Sequence, residues 1–181
     1  MTERTDRDML IDWLNLYSVK TGEEFELSSG QKSNVYVDVK KTALAHRCTK
    51  LLAKLMCDKM LETFGMVEAI AGEGFGGMHL ASIVAMQHPL GCDTVLVRQE
   101  PKNHGTKQMF EYSTMFKDQH LVVLEDVVTT GKSALRAANI LRDAGWDVKG
   151  ILAVVDRRPI KSDMLGWFQF AALVNFEELT P

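Results

Sequence analysis

Glu125 and Asp126 form an adjacent acidic pair directly after the apolar run of residues 121–124, and their surroundings suit one kind of chemistry. Two threonines, a glycine and a serine follow the pair before a helical pattern begins. Backbone N–H groups at a helix N-terminus lack intrahelical partners, and the helix dipole favours an anion there, so such a turn binds phosphate. Ionised carboxylates accept hydrogen bonds from the vicinal hydroxyls of a ribose ring. The segment therefore predicts a sugar-phosphate site. The side chains that offer further hydroxyl donors are Thr129, Thr130 and Ser133.

Two other interpretations of this segment are weaker. A P-loop nucleotide site has a glycine five positions before its Gly-Lys pair, here Gly131-Lys132, and Asp126 stands at that position. A carboxylate inside a phosphate-binding loop would repel the ligand, so the P-loop interpretation fails. An ordinary strand-to-helix turn with threonine and serine as helix caps explains one or two hydroxyls. It does not explain an acidic pair placed ahead of three of them.

Composition limits the class of protein. The 181 residues are 46% hydrophobic, which favours one domain covering residues 1–181. The net charge of -3 leaves no global basic field, so we expect no nucleic-acid partner. The three cysteines (Cys48, Cys57 and Cys92) form no closely spaced pair, which argues against a zinc site and a disulfide framework. With no signal sequence and no run of membrane-spanning length, we expect a cytoplasmic protein that binds no membrane.

Hydrophobic periodicity predicts the elements that position these residues. Apolar residues at helical spacing within 9–17 predict an N-terminal helix that Thr21-Gly22 ends. Alternating residues predict two short strands at 25–29 and 34–39, and a longer helix fills 43–63.

Strands and helices alternate in the rest of the chain. The predicted strands cover 67–71, 93–98, 121–125, 148–155 and 171–176, and the predicted helices cover 76–86 and 133–144. This alternation indicates an α/β fold with a mainly parallel sheet flanked by helices. Ligands bind at the carboxyl ends of the strands in such sheets, and the acidic pair falls at one of these ends.

A glycine-rich turn follows the strand predicted at 67–71. It has four glycines within residues 72–77, and such a loop can turn its amides toward a second phosphate group. The alternative is a tight crossover that binds nothing. Glu73 is discordant, because it brings negative charge to a loop expected to bind an anion; it either points away or acts through a metal ion.

Cationic residues follow two further strand ends. Arg98, Lys102, His104 and Lys107 give one long connection a local positive charge, which predicts a mobile lid that closes over a polyanion. The alternative is a solvated surface loop. Arg157 follows another strand and can bind a planar carboxylate or carbonyl, whereas we expect its neighbour Arg158 to pair with a surface acid.

These motifs in this order resemble the phosphoribosyltransferase family, whose members bind phosphoribosyl pyrophosphate through an acidic-acidic-x-x-Thr-Thr-Gly turn. The chain is most similar to the orotate-using members. The supporting segments are Phe25-Glu-Leu-Ser-Ser-Gly-Gln-Lys-Ser-Asn-Val-Tyr-Val-Asp38, which resembles a substrate-covering hood, Arg98-Gln-Glu-Pro-Lys-Asn-His-Gly105, and Asp156-Arg157. The resemblance runs from about residue 9 to residue 158. It implies the phosphoribosyltransferase fold, with residues 1–40 contributing a helix and the hood over the active site.

The resemblance also implies the reaction and its residues. Ribose 5-phosphate would pass from phosphoribosyl pyrophosphate to a ring nitrogen of orotate, releasing pyrophosphate, a step of pyrimidine biosynthesis. The implied catalytic residues are Arg98, Lys102, His104 and Asp126. The implied phosphoribosyl pyrophosphate ligands are Arg98, Gln99, Lys102, His104, Glu125, Asp126, Val127, Val128, Thr129, Thr130, Gly131, Lys132 and Ser133. Orotate would contact Thr129 and Arg157.

Further expectations concern the metal and the partner. Mg²⁺ would arrive on the substrate's own oxygens, with no direct protein ligand. The lid would be shared between the subunits of a homodimer.

The chain departs from the family pattern in three places. Gln99 stands where a second cation often follows Arg98, Ser28 replaces a lysine found in some members, and Lys132 stands where a small or polar residue is common. Two alternatives stay open. One is a phosphoribosyltransferase for a purine or uracil. The other is a non-catalytic regulator of the same fold that senses phosphoribosyl pyrophosphate and binds RNA or DNA, which the acidic net charge disfavours.

Overall fold

The N-terminal segment is helical and then turns directly into a strand. In a computed structural model that describes residues 4–26, 30, 32–101, 108–113 and 119–179, helix α1 spans Asp6–Trp13 and continues as a π-helical turn over Leu14–Ser18. Thr5 caps α1: its hydroxyl accepts the N–H of Asp8, and the Asp8 carboxylate accepts the N–H of Thr5 at 2.9 Å.

The hood is a two-stranded antiparallel sheet. Strand β1 (Val19–Glu26) pairs with strand β2 (Lys32–Val37), and the rings of Phe25 and Tyr36 stack across the pair with centroids 5.5 Å apart. The prediction that Thr21-Gly22 ends the first helix is wrong. The helical residues stop at Ser18, and Gly22 (φ 96°) lies where the strand register shifts. The glycine therefore serves an irregularity within β1.

The helix predicted at 43–63 is two helices. Helix α2 spans Val39–Ala43 and helix α3 spans His46–Phe64. The break lies at Ala45, the N-cap of α3, whose extended backbone (φ -76°, ψ 121°) interrupts the helical conformation.

A seven-stranded sheet forms the centre of the molecule. Its order is β5-β4-β3-β6-β7-β9-β8, with β4, β3, β6, β7 and β9 parallel and the two-residue edge strands β5 and β8 antiparallel. The strands are β3 (Ala69–Glu73), β4 (Asp93–Val97), β5 (Phe110–Glu111), β6 (His120–Val128), β7 (Asp147–Asp156), β8 (Met164–Leu165) and β9 (Phe168–Asn175). Helix α4 (Gly74–Ala85) follows β3, helix α5 (Lys132–Asp143) follows β6, and a 3₁₀ turn covers Phe176–Glu178. The predicted α/β class is confirmed.

Helices cover both faces of this sheet. One hydrophobic cluster joins α1, α3 and α4 to the sheet and includes the fully buried Leu52, Met56 and Leu80. The other packs α5 on the opposite face through Ala138 and Leu141. Strands covered on both faces are apolar throughout, as residues 121–124 are. Over the described ranges, none of the helices has both the length and the apolar character that crossing a bilayer requires.

Strand β6 is longer than predicted. It continues to Val128 because Val127 and Val128 pair with Val155 and Asp156 of β7. The acidic pair therefore lies within the paired part of the strand, and Val128, the last residue of β6, follows it by two residues. Pairing with β7 fixes its backbone.

Candidate active site

A cavity of about 420 Å³ opens where the carboxyl ends of β3 and β6 meet the hood. Four parts of the chain that the sequence singled out line it: the hood, the glycine-rich turn, the acidic pair with the turn after it, and Arg157. The sheet topology accounts for this convergence, because parallel strands place their carboxyl ends on one edge.

The two carboxyls of the acidic pair have different environments. Glu125 is buried; the hydroxyl of Ser133 donates to its Oε2 at 2.8 Å and the N–H of Asp126 to its Oε1 at 3.3 Å. Burial, and then the nearby charge of Asp126, raises the pKa of Glu125 to about 8. Asp126 accepts the N–H of Val127 at 2.8 Å. In the absence of ligand, Glu125 is thus largely protonated near neutral pH and able to donate as well as accept, which the sequence argument of two ionised carboxylates did not anticipate.

Lys40 is a cavity residue that the sequence argument missed. Its ammonium lies 2.8 Å from Asp38 Oδ1 and 3.5 Å from Asp126 Oδ2. Burial acts to lower the pKa of Lys40, but the hydrogen bond to Asp38 and the charge of Asp126 outweigh it, and the pKa is raised. Lys40 therefore stays charged beside the acidic pair. Its only signal in the sequence is its place two residues after the predicted hood ends.

The turn between β6 and α5 has the form expected of a phosphate site. Gly131 is the N-cap of α5 and adopts a left-handed conformation (φ 75°). A Cβ there would lie 2.6 Å from Leu165 Cδ1, so both backbone and packing require glycine. Because glycine has no side chain to cap the helix, the first N–H groups of α5 remain suited to an anion. Thr129 and Ser133 line the cavity, whereas Thr130 and Lys132 are exposed.

The glycine-rich turn joins β3 to α4, which begins at Gly74, two residues earlier than predicted. A Cβ at Gly72 would overlap the carbonyl of Gly77, and one at Gly76 would lie 2.5 Å from Asp126 Oδ2. Close packing therefore accounts for these glycines before any ligand is considered. The same packing brings the turn against the acidic pair.

Glu73 ends β3 with a buried side chain. Its Oε1 lies 2.5 Å from Nη2 of Arg136, a residue of α5 that the sequence argument did not identify. Burial raises the pKa of Glu73, although the Arg136 charge opposes that rise. Arg136, which lies 63 positions later in the chain, thus offsets the negative charge of Glu73 that was expected to oppose anion binding.

Arg157 lies at the opposite side of the cavity, after β7. Its Nη2 donates to the hydroxyl of Ser33 in the hood at 2.6 Å, and its guanidinium carbon is 4.5 Å from the centre of the Phe176 ring. Its backbone N–H donates to the carbonyl of Val128 at 2.8 Å. Arg157 is therefore held by three elements while it lines the cavity.

Arg158 takes a different direction. It pairs with Asp156 at 2.9 Å and lies over the Phe170 ring, with both charged residues buried. The expected partnership with an acid is correct, but its expected surface position is wrong. The carbonyls of Ser162 and Met164 accept its remaining hydrogen bonds, which makes burial tolerable.

The structure brings together only part of the predicted set. Around the cavity lie Gln99, Glu125, Asp126, Val127, Thr129, Ser133 and Arg157. Arg98 does not line it; its guanidinium pairs with Glu111 at 2.9 Å. Val128 and Gly131 are buried. Lys102, His104, Lys107 and Ser28 lie outside the described residues. The assigned roles of all these residues stay predictions.

Among the residues that the structure describes, no group of three or more His, Cys, Asp and Glu side chains is arranged to hold a metal ion.

The sheet, the hood over its carboxyl ends and the acidic pair ahead of a phosphate-type turn define a phosphoribosyltransferase. The chain is 38% identical over 158 residues to the orotate phosphoribosyltransferase of Thermococcus kodakarensis, a match that spans 86% of this chain and 83% of that protein. The chain belongs to the orotate phosphoribosyltransferase family. No protein-family model matches the sequence.

Solved structures agree with this assignment. Mycobacterium tuberculosis orotate phosphoribosyltransferase superposes with a TM-score of 0.81 at 28% identity, over 97% of this chain and 99% of that one. The same enzyme in complex with phosphoribosyl pyrophosphate gives a TM-score of 0.76 at 26% identity, over 97% and 99% of the two chains. The predicted family and fold are therefore confirmed.

Proposed function

We propose that this protein transfers ribose 5-phosphate from phosphoribosyl pyrophosphate to orotate, producing orotidine 5′-monophosphate and pyrophosphate. The observation that carries the proposal is that one cavity contains both the acidic pair with its phosphate-type turn and Arg157. The turn suits the sugar phosphate and the guanidinium suits an anionic base. Membership of the orotate phosphoribosyltransferase family supports the same reaction.

The acidic pair and the α5 N-terminus would hold the ribose 5-phosphate. The N–H groups of the turn bind the 5′-phosphate, and Glu125 and Asp126 bind the ribose hydroxyls. In the reaction the bond from ribose C1 to the pyrophosphate oxygen breaks, a bond from C1 to the orotate nitrogen forms, and the proton of that nitrogen passes to the departing pyrophosphate. Positive charge grows on the ribose and negative charge on the leaving group. The Asp126 side chain beside the ribose would stabilise the positive charge.

Arg157 would bind orotate. A guanidinium can make two parallel hydrogen bonds to a carboxylate or to neighbouring carbonyls, which fixes the orientation of a flat ring. The contacts to Ser33 and Phe176 hold the guanidinium in the unliganded cavity, so little ordering remains when orotate binds. Because the departing pyrophosphate can accept the proton of the ring nitrogen, the reaction needs no strong base from the protein. Catalysis then consists of orientation and electrostatic stabilisation.

The remaining parts of the proposal are the metal, the lid and the dimer. Mg²⁺ would arrive on the oxygens of phosphoribosyl pyrophosphate, with no direct protein ligand. Arg98, Lys102 and His104 would stabilise the pyrophosphate of the neighbouring subunit in a homodimer. Arg98 pairs with Glu111 and is not among the residues that line its own cavity, which is compatible with this arrangement.

A cytoplasmic location completes the proposal. Cys48, Cys57 and Cys92 are all unpaired thiols, which supports a reducing compartment.

The decisive experiment follows the ultraviolet absorbance of orotate after addition of phosphoribosyl pyrophosphate and Mg²⁺. We expect the absorbance to change, with release of pyrophosphate and no turnover when Mg²⁺ is removed by a chelator. Parallel reactions with hypoxanthine, adenine and uracil test the alternative bases. Turnover with one of those bases and none with orotate would overturn the assignment. Binding of RNA without transferase activity would favour the regulator.

A further inference from the structure

Acidic side chains outnumber basic ones in the lining of the cavity. Four carboxyls (Glu26, Glu73, Glu125 and Asp126) and two cations (Lys40 and Arg157) line it, although the proposed substrate is a polyanion. Protonation removes the charge of Glu125 in part, and Lys40 lies beside Asp126. Glu26 and Glu73 remain; Glu26 is exposed to solvent, whereas Glu73 is buried in the glycine-rich turn.

Glu73 is also the most buried of these charges. Its side chain is 2% exposed, and within the described part of the chain its Oε2 has no hydrogen-bond partner. A buried carboxylate without compensation is unfavourable by itself, and it repels any anion brought near it. The compensation comes from outside the cavity lining.

Arg136 provides it. The residue lies in the first half of α5 and reaches back to the end of β3, where its Nη2 is 2.5 Å from Glu73 Oε1. Its Nη1 donates to the carbonyl of Gln99 at 2.5 Å. Within the described ranges, Arg136 is the one cation within 4 Å of the Glu73 carboxylate. One guanidinium thus joins the glycine-rich turn, the segment after β4 and the helix of the phosphate-type turn.

We propose that Arg136 is a positioning residue that neutralises Glu73, so that the glycine-rich turn accepts the pyrophosphate group of phosphoribosyl pyrophosphate. Its second contact holds Gln99 at the cavity wall. The inference rests on the proposed function and adds a residue to it.

Removal of the Arg136 charge should act on substrate binding more than on chemistry. Arg136→Gln leaves a buried negative charge beside the pyrophosphate, and we expect KM for phosphoribosyl pyrophosphate to rise roughly 10- to 100-fold, the factor that losing one charged hydrogen bond gives. We expect KM for orotate to change by less than about threefold, because orotate binds at Arg157 and not at the glycine-rich turn. We expect kcat to fall as well, but by a smaller factor than KM for phosphoribosyl pyrophosphate rises, because the pyrophosphate carries most of its negative charge before the bond breaks.

The test is a double-mutant cycle of Arg136→Gln, Glu73→Gln and the two together, measured by steady-state kinetics and by calorimetry of phosphoribosyl pyrophosphate binding. We expect Glu73→Gln to leave KM for phosphoribosyl pyrophosphate unchanged or lower it, because Arg136 then keeps an unpaired positive charge. The double variant should bring KM back to within a few-fold of wild type. The matched control is Arg142→Gln, an exposed arginine on the same helix that pairs with Asp143 at 3.0 Å.

Two results would overturn the inference. One is an unchanged KM for phosphoribosyl pyrophosphate in Arg136→Gln; the other is a double variant no better than that single variant, since a purely structural role predicts additive damage. If Arg136→Gln does not fold, Glu73→Gln decides, because a raised KM in that variant contradicts the charge argument. Failure of the proposed function is distinguishable, since it would appear as an inactive wild-type enzyme.

Discussion

The substitution Glu125→Gln should stabilise the unliganded protein at alkaline pH. The pKa of this carboxyl lies near 4.5 in an unfolded chain and at about 8 in the folded protein, mainly because of burial. Between those values the unfolded state loses a proton that the folded state keeps, so the free energy of unfolding falls as pH rises toward 8. A difference of that size corresponds to at most about 5 kcal/mol, at about 1.36 kcal/mol for each pH unit.

Glutamine removes this effect while it keeps the shape of the side chain and an oxygen that can accept from Ser133. The stabilisation should be smaller than this upper limit, because part of the pKa rise comes from the charge of Asp126 and because water that enters the site weakens the effect of burial. We therefore expect Glu125→Gln to be more stable than wild type by roughly 2–4 kcal/mol at pH 9. At pH 4.5, where Glu125 is protonated in the folded protein and half protonated in the unfolded chain, we expect the two proteins to differ by less than about 1 kcal/mol.

Urea denaturation followed by tryptophan fluorescence from pH 4.5 to pH 9 measures this difference directly. The control is Glu62→Gln, an exposed carboxylate on α3 that pairs with Lys59 at 2.9 Å. Its effect should be small and nearly independent of pH. The assignment of a raised pKa to Glu125 would be refuted if the free energy of unfolding of Glu125→Gln differed from that of wild type by the same amount at pH 4.5 and at pH 9.

Three further predictions concern the parts of the cavity. Lys102→Ala should lower kcat by about 100-fold or more with an unchanged circular dichroism spectrum, as expected for loss of a donor to developing charge; near-normal turnover would defeat the lid hypothesis. Gly76→Ala places a Cβ 2.5 Å from Asp126 Oδ2, and we expect a loss of about 1–3 kcal/mol in urea denaturation together with a higher KM for phosphoribosyl pyrophosphate. Phe176→Leu removes the ring under Arg157, and KM for orotate should rise by about 2- to 10-fold with little effect on KM for phosphoribosyl pyrophosphate; equal changes in the two would contradict a role in orotate binding.

Local patterns predicted the elements, and the errors lie where tertiary contacts decide. The run at 121–124 correctly predicted a buried strand, but β6 continues to Val128 because β7 extends far enough to pair with it. Gly22 has the features of a helix stop, yet it lies in β1, since pairing with β2 draws the chain into the hood from Val19 onward. A rule that places a helix end at a glycine does not take into account the strand that pairs with it in the folded protein.

Cavity residues divide in the same way. Glu125, Asp126 and Thr129 form one continuous segment, so their meeting could be predicted. Arg136 and Lys40 could not be, because each acts on a carboxylate more than 60 positions away in the sequence. The raised pKa of Glu125 belongs with them, since it depends on burial that only the folded chain creates.

The pairing of β6 with β7 explains how one cavity can serve two substrates. Val128 follows the acidic pair by two residues, and its carbonyl accepts the N–H of Arg157 at 2.8 Å. The backbone that positions the carboxyls proposed to bind ribose therefore also positions the cation proposed to bind the base, without an intervening loop. Since ladder hydrogen bonds between buried parallel strands leave little freedom in register, the distance between the two binding groups is fixed before either substrate arrives. A transfer reaction that relies on orientation, with no nucleophile from the protein, requires that kind of rigidity.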